Sequence, residues 1–195
     1  TQPEIWPRTA SAPPLSETKQ PKILSFWSDI SRFFGFSSGP SLQGPTIFLR
    51  PPLRRDYKNW SRLREESRDF LSPWEPTWPS DAHSRGAYRL RLNRYKHERR
   101  KGIGHTFFIF RQSDGALVGG LSLIHIRRGV SQSGNLGYWM GEAHAGQGYM
   151  TEAVGCLVNY AFDTLALHRI EAACLLDNTA SIRVLKKSGF HEEGI

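Results

Sequence analysis

A glycine-rich turn stands between a predicted strand and a predicted helix, and its spacing suits the binding of an anion. Residues 137–141 place aromatic and aliphatic side chains between glycines, which indicates a strand. Gly146 and Gly148 follow, and the sequence from Met150 onward has helical periodicity. Glycines let the backbone approach a ligand closely, and the unpaired N–H groups and dipole of a helix N-terminus favour negative charge. The turn therefore predicts a binding site for a pyrophosphate.

A carboxylate, an amide and a hydroxyl follow this turn on the next two predicted elements. Residues 170–175 have the composition of a strand, and this strand contains Glu171. Residues 178–188 predict a helix with Asn178 at its N-cap and Ser181 at its N3 position. Helix capping by itself explains Asn178. Only the order of these residues along the chain indicates a function for them.

That order resembles the acyl-CoA site of the GCN5-related N-acetyltransferases. The pyrophosphate loop of this superfamily has the pattern Gln/Arg-x-x-Gly-x-Gly/Ala, with an Asn on the next helix and a Gly-Phe pair at the end of that helix. The matching positions here are Gly146, Gly148, Asn178 and 189–190. Ala143 stands where the pattern has Gln or Arg, which removes one side-chain contact and leaves the backbone cradle.

The wider sequence is similar to the RimJ branch of the superfamily, the ribosomal-protein-alanine N-acetyltransferases. The similarity spans residues 44–195, and it is carried by WSRLR at 60–64, FLSPWEPTW at 70–78, LGYW at 136–139 and HRIEA at 168–172. The resemblance implies a cytoplasmic enzyme that uses acetyl-CoA and needs no metal. It also implies direct transfer of the acetyl group to the N-terminal α-amine, of alanine, on a ribosomal protein.

The resemblance further implies which residues bind acetyl-CoA. Backbone amides of the glycine turn would hold the pyrophosphate, and Asn178 would hydrogen-bond the pantetheine arm. A main-chain N–H of residues 139–141 would meet the oxyanion of the tetrahedral intermediate. Trp139 is explained equally well as a core aromatic. The cofactor-binding residues implied in this way are Trp139, Met140, Gly146, Gln147, Gly148, Tyr149, Met150 and Asn178.

Two catalytic residues are implied as well. Glu171 matches the superfamily's water-linked carboxylate and is expected to be the base; otherwise it is an exposed carboxylate or a partner of Arg169 or His168. A terminal amine has a pKa near ~8, so about a tenth of it is neutral at pH 7 and the base has little to do. Some relatives protonate the leaving thiolate with a Tyr two turns into the next helix. Leu185 occupies that place here, so Ser181 is the candidate acid by elimination. The family's C-terminal hairpin could supply another.

A loop rich in proline and tryptophan is the candidate acceptor side. It contains Trp74, Glu75 and Trp78. A carboxylate at this place would attract a positively charged N-terminus, and the two tryptophans would wall a small pocket. Packing of the tryptophans against the domain explains the loop equally well.

The predicted elements give an α+β fold with a mixed, mostly antiparallel sheet and helices on both faces. Residues 1–45 form an extension that holds seven of the twelve prolines, and residues 46–195 form the acetyltransferase domain. Members of the family continue through a closing β-hairpin, whereas residues 190–195 begin a strand and the sequence then stops. We therefore expect a domain that is incomplete at its C-terminal side.

A short amphipathic segment, residues 23–36, interrupts the proline-rich extension. It is either a helix that contacts a partner or a membrane, a helix folded back onto the domain, or a stray apolar turn. Its apolar residues at helical spacing are Phe26, Trp27, Ile30, Phe33 and Phe34.

Positive charge is concentrated between Thr46 and Arg111. This stretch has 16 Lys and Arg against 7 Asp and Glu, a balance of +9, while the whole chain carries +8. Such a surface attracts RNA, a ribosome or acidic partners. It is also typical of a solvated helix whose C-terminal end, near residues 97–101, favours cations. Three rival functions stay open. One is acetylation of a small amine such as an aminoglycoside or a polyamine, and another is CoA binding without turnover in an RNA-associated or ribosome-associated module. The third is an acyl-CoA-dependent regulator whose effector is the N-terminal extension.

Several other classes of protein are disfavoured by the sequence. Four of the seven histidines, His105, His125, His168 and His191, show no metal-ligand spacing, and no Cys-x₂-Cys pair occurs. No apolar run reaches the roughly 20 residues of a membrane span. The two cysteines lie in apolar segments, so free thiols in a reducing compartment are expected.

Overall fold

The structure is a computed structural model that describes residues 39–194. The amphipathic segment at 23–36 lies outside the described residues. Among residues 39–194, no helix combines the length and the apolar character that crossing a membrane requires.

A six-stranded sheet forms the centre of the domain, and its strands lie side by side in sequence order. The first five strands pair antiparallel, and the sixth pairs parallel with the fifth. A parallel pair needs a long crossover connection, and a helix supplies it here. The strands are β1 (Leu42–Gln43), β2 (Ile47–Arg50), β3 (His105–Arg111), β4 (Leu117–Arg127), β5 (Ser133–Met140) and β6 (Arg169–Ala172).

Within residues 39–194, five α-helices flank the sheet. Short 3₁₀ turns occur at Arg54–Asp56, Ser72–Trp74 and Glu142–His144, and a π-helical turn at Tyr160–Thr164 follows the fourth helix. The α-helices are α1 (Tyr57–Glu66), α2 (Arg68–Leu71), α3 (Arg85–Lys101), α4 (Tyr149–Asn159) and α5 (Thr179–Lys187).

Helices cover both faces of the sheet because strand side chains alternate between the faces. On one face, Val154 of α4 and Leu185 of α5 belong to a buried cluster with Ile109 of β3. On the other face, Trp60 of α1 and Tyr88 of α3 pack with the next residue of that strand, Phe110. The predicted α+β fold, with helices on both faces, is confirmed.

The boundaries at both ends of the domain differ from the predictions. Leu42 and Gln43 pair with β2, so the sheet begins inside the segment assigned to the extension. At the other end, residues 190–194 follow α5 without regular secondary structure, where the start of a strand was predicted. Gly189 ends α5 with a φ of +83°, as expected for a helix C-terminus.

The sequence also predicts a helix from residue 81 to about residue 100 and a helix that Asp56 caps at its N-terminus. The structure differs at both helix starts, and hydrogen bonds give the reason. The third helix begins at Arg85 rather than at residue 81, because the Ser84 hydroxyl accepts from the Ala87 N–H at 3.1 Å and caps the helix there. Asp56 precedes α1 as predicted, but its side chain does not cap that helix. Instead, its carboxylate accepts two hydrogen bonds of 2.7 Å from buried Arg50.

Candidate active site

The fifth and sixth strands stay together over only half the length of β5. Their pairing runs from Ser133–Arg169 to Leu136–Ala172. Beyond this point β5 continues to Met140 and remains paired with β4 on its other side. The edge of β5 from residue 137 to residue 140 therefore has no strand partner among the described residues, and a gap opens between the two strands.

Two main-chain N–H groups of β5 face this gap. The Gly141 N–H donates to the carbonyl of Val118 on β4 at 2.9 Å. In an antiparallel ladder the direction alternates, so the N–H of Trp139 also points to β4, and those of Tyr138 and Met140 point to the gap. Of the three residues predicted to supply the oxyanion donor, 139–141, only Met140 directs its N–H to the gap.

A cavity of about 620 Å³ occupies the gap and extends to the glycine turn and the start of α5. Its volume lies in the range of sites for small molecules and cofactors. Gln147, Trp78 and Glu171 are not part of its lining. The predicted site residues that do line it are Trp74, Glu75, Trp139, Met140, Gly146, Gly148, Tyr149, Met150, Asn178 and Ser181.

The glycine turn has the backbone that a cradle requires. Gly146 and Gly148 have φ values of +74° and +87°, which other L-residues rarely adopt, and nothing lies within 4 Å of a Cβ built at either position. Gly148 is also the N-cap of α4, whose first amides lack partners within the helix. The Gln147 side chain turns back and donates to the Ala143 carbonyl at 3.0 Å, which leaves its backbone N–H as its contribution to the turn.

His144 is a lining residue that the sequence reasoning missed. It ends the 3₁₀ turn before the glycines, and its Nδ1 is buried without a hydrogen-bond partner among the described residues. Burial, followed by the nearby positive charge of Arg111, lowers the pKa of His144. A neutral imidazole at pH 7 thus lies beside the turn. His144 directly follows Ala143, the position at which this chain differs from the superfamily pattern, and this neighbouring position is a sequence signal that could have identified it.

Asn178 and Ser181 form the cap that was predicted. Asn178 Oδ1 accepts from the Ser181 N–H at 3.0 Å. The Ser181 hydroxyl lies 2.7 Å from the hydroxyl of Tyr138, a second lining residue that the sequence reasoning did not assign to the site. Burial raises the pKa of Tyr138, and the hydrogen bond to Ser181 opposes that shift. The helix cap and β5 thus bring two hydroxyl groups together in the wall of the cavity.

Glu171 lies outside the cavity and is bound to a neighbour. Its carboxylate accepts from Arg169 at 2.8 Å, and about half of each side chain is exposed. Ile170 and Ala172 pack on the α4 side of the sheet, so Glu171 faces the α3 side. Its pairing partner Asn135 is two residues from the start of the gap, roughly 7 Å along the strand. A catalytic role for Glu171 stays a prediction, and it requires an intervening water.

Glu75 is already neutralised by a cation. The two terminal guanidinium nitrogens of Arg64, Nη1 and Nη2, donate to its two carboxylate oxygens, and Trp78 donates to it from Nε1 at 2.8 Å. The same guanidinium lies 4.4 Å from the ring centroid of Trp78 and 5.0 Å from that of Trp139. Because this pairing leaves Glu75 less negative charge to attract an amine, an acceptor role for Glu75 stays a prediction. Trp74, which is 39% exposed, lies in the cavity lining.

A second cavity, of about 450 Å³, lies on the α3 side of the sheet. It shares residues 137–139 of β5 with the first cavity. Nothing lies within 4 Å of a Cβ built at Gly137, so the missing side chain leaves space at the wall between the two cavities. The polar residues of the second cavity are Arg94, Tyr95, Glu98, Thr106, Ser122 and His125.

Comparison with known families agrees with this geometry. The family model described as an acetyltransferase (GNAT) domain matches residues 46–191. The chain belongs to the GNAT acetyltransferases. The predicted superfamily and the predicted enzyme class, an N-acetyltransferase, are thereby confirmed.

Relatives of this GNAT chain carry names that agree with the RimJ-like prediction. A probable N-acetyltransferase YjcK of Bacillus subtilis is 42% identical over 154 residues, which cover 79% of this chain and 85% of that protein. The [ribosomal protein uS5]-alanine N-acetyltransferase of Escherichia coli is 30% identical over 165 residues, 83% and 84% of the two chains. Mycobacterium smegmatis RimJ in complex with CoA-disulfide superposes with a TM-score of 0.73 at 34% identity, covering 80% of this chain and 76% of that one.

The arrangement has three features that suit an acyl transfer to an amine. The glycine turn is an anion cradle, the gap exposes the Met140 N–H, and hydroxyl groups stand beside it. Among residues 39–194 there is no cluster of three or more His, Cys, Asp or Glu that could hold a metal ion.

Proposed function

We propose that this chain transfers the acetyl group of acetyl-CoA to the N-terminal α-amine, of alanine, on a ribosomal protein. The main support for the proposal is the end of β5–β6 pairing next to the glycine turn with positive φ values. The unpaired edge of β5 offers a slot for the pantetheine arm, and the turn offers a cradle for the pyrophosphate. The identity of 34% to RimJ in complex with CoA-disulfide supports the cofactor.

Different residues of the first cavity bind different parts of acetyl-CoA. Amides of residues 146–150 hold the pyrophosphate at the start of α4. Met140 directs its N–H to the carbonyl oxygen of the thioester, and Asn178 lies along the pantetheine arm. An amide already oriented in a site with little water stabilises the charge that develops on this oxygen during attack.

The acceptor amine reaches the thioester from the second cavity. Residues 137–139 separate the two cavities, and the absence of a side chain at Gly137 allows an amine to approach closely. The neutral fraction of a terminal amine, about a tenth at pH 7, is the nucleophile. Glu171 takes up the released proton through water, and Ser181 supplies the proton that the leaving thiolate needs.

The ribosomal acceptor is supported by relatives and by charge. The uS5-alanine N-acetyltransferase of Escherichia coli covers 83% of this chain at 30% identity. The excess of +9 between Thr46 and Arg111 suits a partner that is bound to RNA, and we propose that this surface contacts the ribosome or its RNA. An acceptor of this kind places the enzyme in the cytoplasm.

Intact-mass analysis of two peptides incubated with acetyl-CoA tests the proposal. One peptide has a free N-terminal alanine and arginines in place of lysines, and the other has a blocked N-terminus and free lysines. We expect the mass gain of one acetyl group on the first peptide alone. A gain on the second peptide alone would identify a lysine acetyltransferase. No gain on either, with CoA binding measured separately, would favour a small-molecule acceptor or a binding module without turnover.

A further inference from the structure

Two hydroxyl groups meet at the wall of the first cavity. The Tyr138 hydroxyl lies 2.7 Å from Ser181 Oγ and 3.3 Å from the Ser181 carbonyl oxygen. Both residues line the cavity, and Tyr138 comes from β5 whereas Ser181 comes from α5. Contact between elements on either side of the gap fixes both side chains near the place where a leaving thiolate would form.

The Tyr138 phenol can donate to either oxygen of Ser181, and one of these arrangements leaves the Ser181 proton free. The Ser181 N–H is used by Asn178 Oδ1, so the first turn of α5 is held by the cap. When the phenol donates to Ser181 Oγ, the serine hydroxyl is left with its hydrogen for a third group. The remaining direction is the cavity that both residues line.

A serine hydroxyl alone is poorly matched to the task of protonating a thiolate. A thiol has a pKa of about 8.5 and a phenol about 10, whereas an aliphatic hydroxyl is a much weaker acid than either. Proton transfer is efficient when the acidities of donor and acceptor are close. Tyr138 has the closer acidity, and burial, which raises its pKa, keeps it protonated at pH 7.

We propose that Tyr138 is a positioning residue that orients Ser181 and replaces the proton that Ser181 gives to the leaving thiolate. The inference rests on the proposed acetyl transfer. As the carbon–sulfur bond breaks, its electron pair stays on sulfur, and sulfur takes the Ser181 proton. Ser181 Oγ takes the phenolic proton, and the phenolate recovers a proton from solvent. No oxidant or further reactant is required.

Kinetics of Tyr138→Phe, Ser181→Ala and the double variant test this relay. Tyr138→Phe keeps the ring and removes only the hydroxyl, so we expect unchanged affinity for CoA and kcat about tenfold lower. Ser181→Ala lowers kcat about 100-fold, and the double variant is no slower than Ser181→Ala, because both substitutions interrupt one relay. Tyr160→Phe is the matched control, since it removes a half-buried hydroxyl bonded to His105 at 3.3 Å, outside both cavities.

Each other outcome overturns the relay and locates the failure. A Tyr138→Phe enzyme with kcat within about twofold of the wild type, or additive losses in the double variant, would reduce the hydroxyl pair to packing. An unchanged kcat in Ser181→Ala would show that Ser181 does not protonate the thiolate, and the relay would then be wrong. A wild-type protein that binds CoA and acetylates no amine would instead refute the proposed function itself.

Discussion

Arg64 binds both carboxylate oxygens of Glu75 and lies over the ring of Trp139 at the same time. The ion pair thus fastens the loop after α2 to the strand that borders the gap. Both side chains are partly or fully buried, with exposed fractions of 9% and 24%. Because this contact joins two parts of the site, its loss should change stability and cofactor binding together.

Arg64→Ala should destabilise the domain by about 2–4 kcal/mol, because it leaves the Glu75 carboxylate partly buried without its cation. Urea denaturation measures the change. Arg62→Ala is the control on the same helix, since the Arg62–Glu66 pair is exposed and its loss should cost less than about 1 kcal/mol. Equal effects of the two substitutions would mean that burial does not strengthen the Arg64 pair.

Gly148→Trp should weaken CoA binding by about 100-fold or more, because an indole attached at this position occupies the cradle. Calorimetric titration with CoA measures the affinity. Gly102→Trp is the control, since Gly102 also has a left-handed φ, +67°, with nothing within 4 Å of a Cβ, and it ends α3 away from the first cavity. An unchanged CoA affinity in Gly148→Trp would show that the pyrophosphate does not bind at this turn.

Local patterns were sufficient to predict the cradle. The glycine turn, the helix stripe from Met150 and the N-cap at Asn178 depend on residues close together in sequence. Their geometry follows from positive φ values and from capping, which a sequence displays directly. The same holds for residues 113–115, Ser-Asp-Gly, whose sequence predicts a hairpin turn. The turn lies between β3 and β4, and Gly115 has a φ of +70°.

Contacts across the fold could not be predicted in this way. The pairing of β5 with β6 ends after Leu136 because β6 ends at Ala172 and residues 173–175 do not continue the strand, and no residue type marks that point. The neutralisation of Glu75 by Arg64 spans 11 positions, and the meeting of Tyr138 with Ser181 spans 43. Residue types allow such contacts, but only tertiary packing selects them.

The free energy of unfolding should fall as the pH drops below about 6.5, because His105 is buried, with 7% of its surface exposed, and resists protonation in the folded chain. Burial, followed by the positive charges of Arg99 and Arg128, lowers the pKa of His105 from its ordinary 6.5. The unfolded chain then takes up a proton that the folded chain does not, so stability is present above pH 6.5 and is lost below it. Urea denaturation at about pH 7.5 and about pH 5.5 measures the loss.

His105→Gln should make the difference between these two pH values smaller, because glutamine does not titrate. His97→Gln, at an exposed position on α3, is the control and should leave the difference unchanged. An identical pH dependence in His105→Gln and in the wild type would assign the effect to other groups, among them His144, whose pKa is lowered by burial.

Glu171→Gln should lower turnover more at about pH 6 than at about pH 9, where the acceptor amine loses its proton without help. Steady-state rates over this range, with the free α-amine peptide as acceptor, measure the ratio. Glu193→Gln is the matched control, because Glu193 binds the same Arg169 from outside both cavities. If both variants lose the same fraction of activity at every pH, Glu171 holds Arg169 in place and the base is another group. A loss confined to low pH and to Glu171→Gln would place the base on the α3 side of β6, one strand away from the position proposed for the thioester beside Met140.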